Sequence, residues 1–109
     1  MPNPNAYPSF SDLMAKIGFV LLQWGFLENA MRQNNREVGD LNQISELTEP
    51  RRIRNLIAHG ICRASADPSR SGEPFVACLT QGGKEIEIPY SALEQAIAAL
   101  ETYRLRNFR

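Results

Sequence analysis

From Phe10 to about Asn34 the chain carries apolar residues at three- and four-residue spacing: Phe10, Leu13, Ile17, Val20, Leu21, Trp24, Leu27 and Met31. That rhythm predicts a helix. Phe19, Leu22, Phe26 and Ala30 form a second apolar set on another side. A helix apolar nearly all round must be buried on more than one face. In so short a chain the extra face points to a partner, most economically a second copy of the same protein; a central place inside a monomer is the competing explanation. Ser9, followed by Asp12, fits the helix start, with the serine capping and the aspartate near the positive end. Ahead of it, residues 1–8 read "MPNPNAYP", and the prolines and asparagines predict an extended or mobile arm.

Residues 35–48 are polar and fit a connector with a short helix. Thr48-Glu49-Pro50 marks a second helix start, with proline tolerated in the first turn, and the helix is expected from Pro50 to about Cys62 or Arg63. "ASADPSRSGEP" reads as a loop. "FVACLTQ" and "KEIEIPY" flank Gly82-Gly83, which predicts an antiparallel hairpin. Ser91 and Glu94 suggest a capping box for a last helix through about Asn107, with Leu93, Ile97, Leu100 and Tyr103 on its apolar face. The expected fold is one mainly α domain over residues 1–109, with a small β-hairpin before the last helix.

Composition narrows the function classes. Lys+Arg and Asp+Glu number 12 each, so no global field holds duplex DNA. A helix-turn-helix reading also lacks its short turn between helices. Only Lys16 and Lys84 are lysines; the other cations are arginines, which can fork onto phosphate or carboxylate. Gly83-Lys84 lacks the upstream glycine and following Ser or Thr of a phosphate-binding loop. Cys62 and Cys78 have no close paired spacing, and with a single histidine no Cys/His metal site or cofactor is expected. The N-terminus shows no signal-peptide pattern, and the apolar run Ile17 to Leu27 is too short for a bilayer, so a cytoplasmic protein is expected.

The single histidine stands in "RRIRNLIAHG", residues 51–60. At about 100° per residue, Ile53, Leu56, Ile57 and Ile61 make an apolar arc, while Arg51, Asn55 and His59 form a four-residue ladder opposite. Arg54 lies five residues before His59, off that stripe. It must reach round, or meet the histidine of another subunit. An imidazole can donate or accept a proton near neutrality, and guanidinium groups stabilise phosphate and its transition-state charge. RNA supplies its own nucleophile, the 2′-hydroxyl, so the set suits phosphodiester cleavage without a metal. Arg51 is an auxiliary phosphate contact on helical geometry. Glu28 continues the buried stripe of the first helix and is expected to pair with Arg54, with a solvated place at the helix edge as the alternative. Cys62 is read as inert packing rather than a thiol partner of His59. The terminal "YRLRNFR" reads as a solvated cationic helix end, with RNA guidance as the second use.

"RNLIAHG" resembles the R-x4–6-H motif of the HEPN superfamily, with Arg54 and His59 as the pair and Asn55 as the polar residue after the arginine. "LENAM" in the first helix is similar to the corresponding helix of many members, and the resemblance covers roughly residues 10–63 and the last helix. It implies an α-helical bundle, a homodimer with a composite site, and a metal-independent endoribonuclease leaving a 2′,3′-cyclic phosphate, often a toxin with a protein antitoxin or a defence or stress enzyme. Arg54 would hold the scissile phosphate, His59 would move protons, and Asn55 would position RNA or the histidine. Other members are non-catalytic interaction domains, and that is the alternative. The hairpin and the short chain depart from the family pattern.

Overall fold

The computed structural model describes residues 8–66 and 72–108. Helix α1 spans Phe10–Gln33, two 3-10 turns span Val38–Gln43 and Ser45–Leu47, and α2 spans Thr48–Gly60. Strands β1 (Ile61–Ser65), β2 (Phe75–Leu79) and β3 (Glu85–Pro89) follow, and α3 (Tyr90–Asn107) closes the chain. The fold is mostly helical, with the strands in one antiparallel sheet of order β1-β2-β3. The arm expected over residues 1–8 lies, apart from Pro8, outside the described residues.

Local chemistry explains the start and end of α1. The Ser9 hydroxyl accepts from the Asp12 N–H at 3.0 Å, and the Asp12 carboxylate accepts from the Ser9 N–H at 2.9 Å, a reciprocal capping box. At the far end Asn35 takes a left-handed φ of 58°, which asparagine tolerates better than most side chains. The Arg36 N–H then donates back to the Met31 carbonyl at 2.9 Å, which also accepts from the Asn34 N–H at 3.1 Å, so the chain turns out of the helix with that acceptor satisfied.

The sheet corrects two expectations. The predicted hairpin is present, with Phe75 opposite Pro89 and Leu79 opposite Glu85. It carries a third strand, however, because α2 stops at Gly60 and Ile61–Ser65 pairs with β2 rather than extending the helix to Cys62 or Arg63. A Cβ at position 60 would collide with the Leu79 carbonyl oxygen, so glycine lets the end of β2 approach the last turn of α2. The second correction concerns α3. Its start has no Ser91–Glu94 box; instead Glu73, across the preceding segment, accepts from the Ser91 N–H at 2.7 Å and the Ser91 hydroxyl at 2.9 Å. Glu94 faces Lys16 of α1 at 3.6 Å instead.

Buried side chains form two adjoining clusters. Leu13 and Val20 of α1 meet Ile53 and Ile57 of α2, Val76, Cys78 and Ile88 of the sheet, and Leu93 and Ala96 of α3. Trp24, Leu27 and Met31 meet Leu41 and Leu47 of the 3-10 turns and Leu100 and Tyr103 of α3. The predicted spacing holds in part. In α1 Leu13, Val20, Trp24, Leu27 and Met31 are buried and Ile17 packs at the edge, but Phe10 and Leu21 of the same predicted stripe are exposed. In α3 Ala96 is buried where Ile97 was expected, with Ile97 at the edge. By length and composition α1 is also long and apolar enough to cross a membrane, which the shorter Ile17–Leu27 run did not suggest. One side of it is core.

Candidate functional site

Helix α2 is amphipathic in the simplest way. Pro50, Ile53 and Ile57 are buried, which turns Arg51, Asn55 and His59 to the other side, one helical turn apart. Those three side chains line one wall of an open groove of about 450 Å³. The opposite wall is the end of β2 and the turn beyond it, Leu79, Thr80 and Gln81. Gly60 sets the distance between the walls, since any side chain there would push β2 away. His59 is exposed, whereas Arg51 and Asn55 are half-buried.

The charges in this wall are not equivalent. Arg52 forks onto Glu49, with Nε 3.0 Å from Oε1 and Nη2 2.6 Å from Oε2. The hydrogen bonds from Arg52 hold the Glu49 carboxyl below its ordinary range. Arg52 is therefore already committed to an intramolecular carboxylate. Arg51 forms no ion pair among the described residues, and its Nε is buried without a hydrogen-bond partner. It is the guanidinium in the groove that remains available to an anion.

Arg54 does not line this groove. Five residues turn the helix through about 500°, which leaves Arg54 and His59 roughly 140° apart. The Arg54 guanidinium sits 5.7 Å from the centre of the Trp24 ring and donates from Nη1 to the Asn55 amide oxygen at 2.9 Å. The sequence-derived trio thus divides: Asn55 and His59 share the groove, and Arg54 reaches it only through Asn55. Glu28 is half-buried at the edge of α1 and makes no ion pair with Arg54 among the described residues; Trp24, one turn earlier, takes the guanidinium instead. The expected Glu28–Arg54 pair is thereby replaced by a cation–π contact.

Two other residues leave α2 altogether. Cys62 is in β1, where its thiol donates to the Ala77 carbonyl at 3.4 Å, so the helical spacing that set it beside His59 does not exist. Arg63 pairs across the sheet with Glu85 and with Glu87, the latter at 3.4 Å, and so is not part of a basic cluster on α2. Cys78 is buried, and that burial pushes its thiol up from the ordinary value, with Cys62 adding to the effect. In the C-terminal run, Arg106 is held by Glu46 and Arg104 stacks on Phe26 at 5.6 Å. Among the described residues no group of three or more His, Cys, Asp or Glu side chains gathers in a way that could hold a metal ion.

Sequence reasoning missed the second wall of the groove. Thr80 and Gln81 lie in the turn of the hairpin, about twenty residues beyond His59, and the spacing along α2 carries no signal for them. Chemically, the groove offers in line a guanidinium with no ion pair among the described residues, an amide and an exposed imidazole, with hydroxyl and amide groups facing them. No family model, curated protein or solved structure matches this chain.

Proposed function

We propose that this chain is a metal-independent endoribonuclease that works as a homodimer, cleaving RNA at the α2 groove through the 2′-hydroxyl and leaving a 2′,3′-cyclic phosphate. The observation that carries the reading is the open groove that holds Arg51, Asn55 and His59 in line, with Arg51 paired to no carboxylate among the described residues. Arg51 binds phosphate, His59 moves a proton to or from the attacking or leaving oxygen, and Asn55 orients the strand. Arg54, held just outside the groove by Asn55, supplies a further positive charge to the same region, or to the partner's histidine where two grooves face each other. The resemblance of Arg54, Asn55 and His59 to the HEPN motif supports this assignment, and with it a cytoplasmic toxin or defence role and a protein antitoxin as partner.

A second reading has its own observation. Arg54 and His59 do not share a groove wall within one protomer, which favours a non-catalytic HEPN-like interaction module. The experiment that separates the two is incubation of purified protein with mixed RNA in the presence of a chelator. Under the first reading wild type yields fragments ending in cyclic phosphate, His59→Ala does not, and single-stranded DNA stays intact for want of a 2′-hydroxyl. Identical fragment patterns from wild type and His59→Ala remove the catalytic reading.

A further inference from the structure

Helix α1 buries one side and leaves the opposite side apolar and open. Phe10, Phe19, Leu22 and Phe26 are 52%, 47%, 52% and 50% exposed, and Met14 and Leu21 are 38% and 39% exposed. Scattered exposed apolar residues are ordinary, but these occupy a single continuous face. Their arrangement follows a heptad. Ser11, Ala15, Gly18, Leu22, Gly25 and Asn29 advance in alternating steps of four and three, the seam of a helix pair. Met14 and Leu21 run along one flank seven residues apart, and Phe19 and Phe26 along the other. A Cβ added at Gly18 or Gly25 would meet nothing within 4 Å, so nothing inside the protomer requires glycine there. In a helix interior glycine is otherwise unfavourable.

We infer that this face is the seat of a second copy of the chain, packed as an antiparallel helix pair with its two-fold axis between Leu21 and Leu22. In that register Gly18 lies against the partner's Gly25, which lets the two backbones approach closely, and Phe19 lies beside the partner's Phe26. A two-fold antiparallel pair sets each flank against its own copy, so one surface serves both subunits. Antiparallel packing also opposes the two helix dipoles, while parallel packing stacks like ends.

The size fits as well. At the fractional exposures above, with about 200 Å² for a phenylalanine ring, the large side chains present on the order of 500 Å² of apolar surface. That reaches the upper range for the largest patch on a monomer. With the seam between the flanks, the face approaches the roughly 800 Å² per partner of a standard stable interface. The inference names the partner face of the homodimer proposed above and rests on that reading for the sharing of a site, but its test does not depend on RNA cleavage.

The test is the solution mass of the full chain by analytical ultracentrifugation at tens of micromolar, with circular dichroism alongside. Wild type is expected at twice the chain mass. Gly18→Gln/Gly25→Gln keeps a helix-forming residue in open space, so the helical signal persists and the thermal midpoint of the dissociated chain does not fall, while dimer affinity drops by on the order of tenfold or more. In a Cys62→Ser background, mixed Gly18→Cys and Gly25→Cys chains should cross-link to each other on mild oxidation, and neither should cross-link to itself. A monomeric wild type overturns the inference, including one recruited only by lipid vesicles. So does a fully dimeric glutamine variant, or a self-linked Gly18→Cys chain. A wild-type dimer that cleaves no RNA sustains the interface and removes only the catalytic reading.

Discussion

The Arg54 guanidinium donates to the Asn55 amide oxygen at 2.9 Å, so the residue that faces the groove with His59 also anchors the guanidinium outside it. Asn55 is therefore the link between the two halves of the Arg/His pair. If the groove cleaves RNA, His59→Ala loses proton transfer and should lower the rate by about 10²- to 10⁴-fold. Asn55→Ala removes a positioning contact and frees Arg54, and a smaller loss of about tenfold is expected, equivalent to about 1.4 kcal/mol. Single-turnover rates on one defined RNA check both. Equal losses at the two positions would show that Asn55 does more than orient.

Arg51 and Arg52 are adjacent in sequence and carry the same charge, yet they should behave differently. Arg52 is tied to Glu49 by the fork described above, at 3.0 and 2.6 Å, and Arg51 has no such partner among the described residues. Arg51→Ala is expected to weaken binding to single-stranded RNA and to reduce the slope of log affinity against log salt by roughly 0.7, the loss of one phosphate contact. Arg52→Ala should leave that slope nearly unchanged, and because the Arg52–Glu49 pair is exposed it should alter stability by less than about 1 kcal/mol. Titrations of catalytically silent His59→Ala protein at several salt concentrations measure the slope without cleavage.

Gly60 joins the groove to the stability of the fold. A methyl group there meets the backbone carbonyl of Leu79, which cannot swing aside as a flexible side chain could. Gly60→Ala is expected to destabilise the protein by about 1–3 kcal/mol, the usual range for overpacking. Urea unfolding checks the magnitude, and exchange of the Leu79 and Thr80 amides should show that the displacement is local to β2.

The start of α3 shows why the sequence told some parts of this fold and not others. Ser91 and Glu94 have the spacing of a capping box, but the acceptor that engages Ser91 is Glu73, brought in by the pairing of β2 with β3. Local spacing reported the helix and named the wrong carboxylate, because the right one is set by tertiary contact. The same holds for β1. Its alternation is interrupted by an irregularity between Ile61 and Arg63, and a strand directly after a helix has no loop to announce it. By contrast the presence of α1, α2 and α3 was legible from periodicity, and Leu13, Ile53 and Leu93 are buried where three- and four-residue spacing puts them, although the end of α2 at Gly60 was not. The ladder Arg51–Asn55–His59 was legible for the same reason. The fate of Arg54 depended on Trp24, a contact between helices that spacing along α2 does not contain. Glu73→Ala should accordingly cost about 1 kcal/mol as a lost cap, and Glu94→Ala less, about a few tenths, since its pair with the half-buried Lys16 is long at 3.6 Å and open to solvent on the Glu94 side. Thermal denaturation of the two variants ranks them.

Asp12 gives the fold a defined acid dependence. Its carboxyl is held below the ordinary 3.8, first by the hydrogen bond from the Ser9 backbone N–H and then by the Ser9 side chain. A group whose pKa is lower in the folded than in the unfolded chain binds fewer protons when folded, so stability rises with pH across the interval between the two values. The contribution is fully present above the unfolded value and disappears as pH falls through the folded one. Asp12→Asn removes the titration while leaving an acceptor in place. The stability difference between wild type and Asp12→Asn should therefore be constant from neutral pH down to about 4.5 and shrink below it, as expected for a carboxylate reverting to its protonated form. Urea unfolding at a series of acid pH values measures that difference. A gap that stays constant to pH 2.5 would mean that the charge on Asp12 contributes nothing to the start of α1.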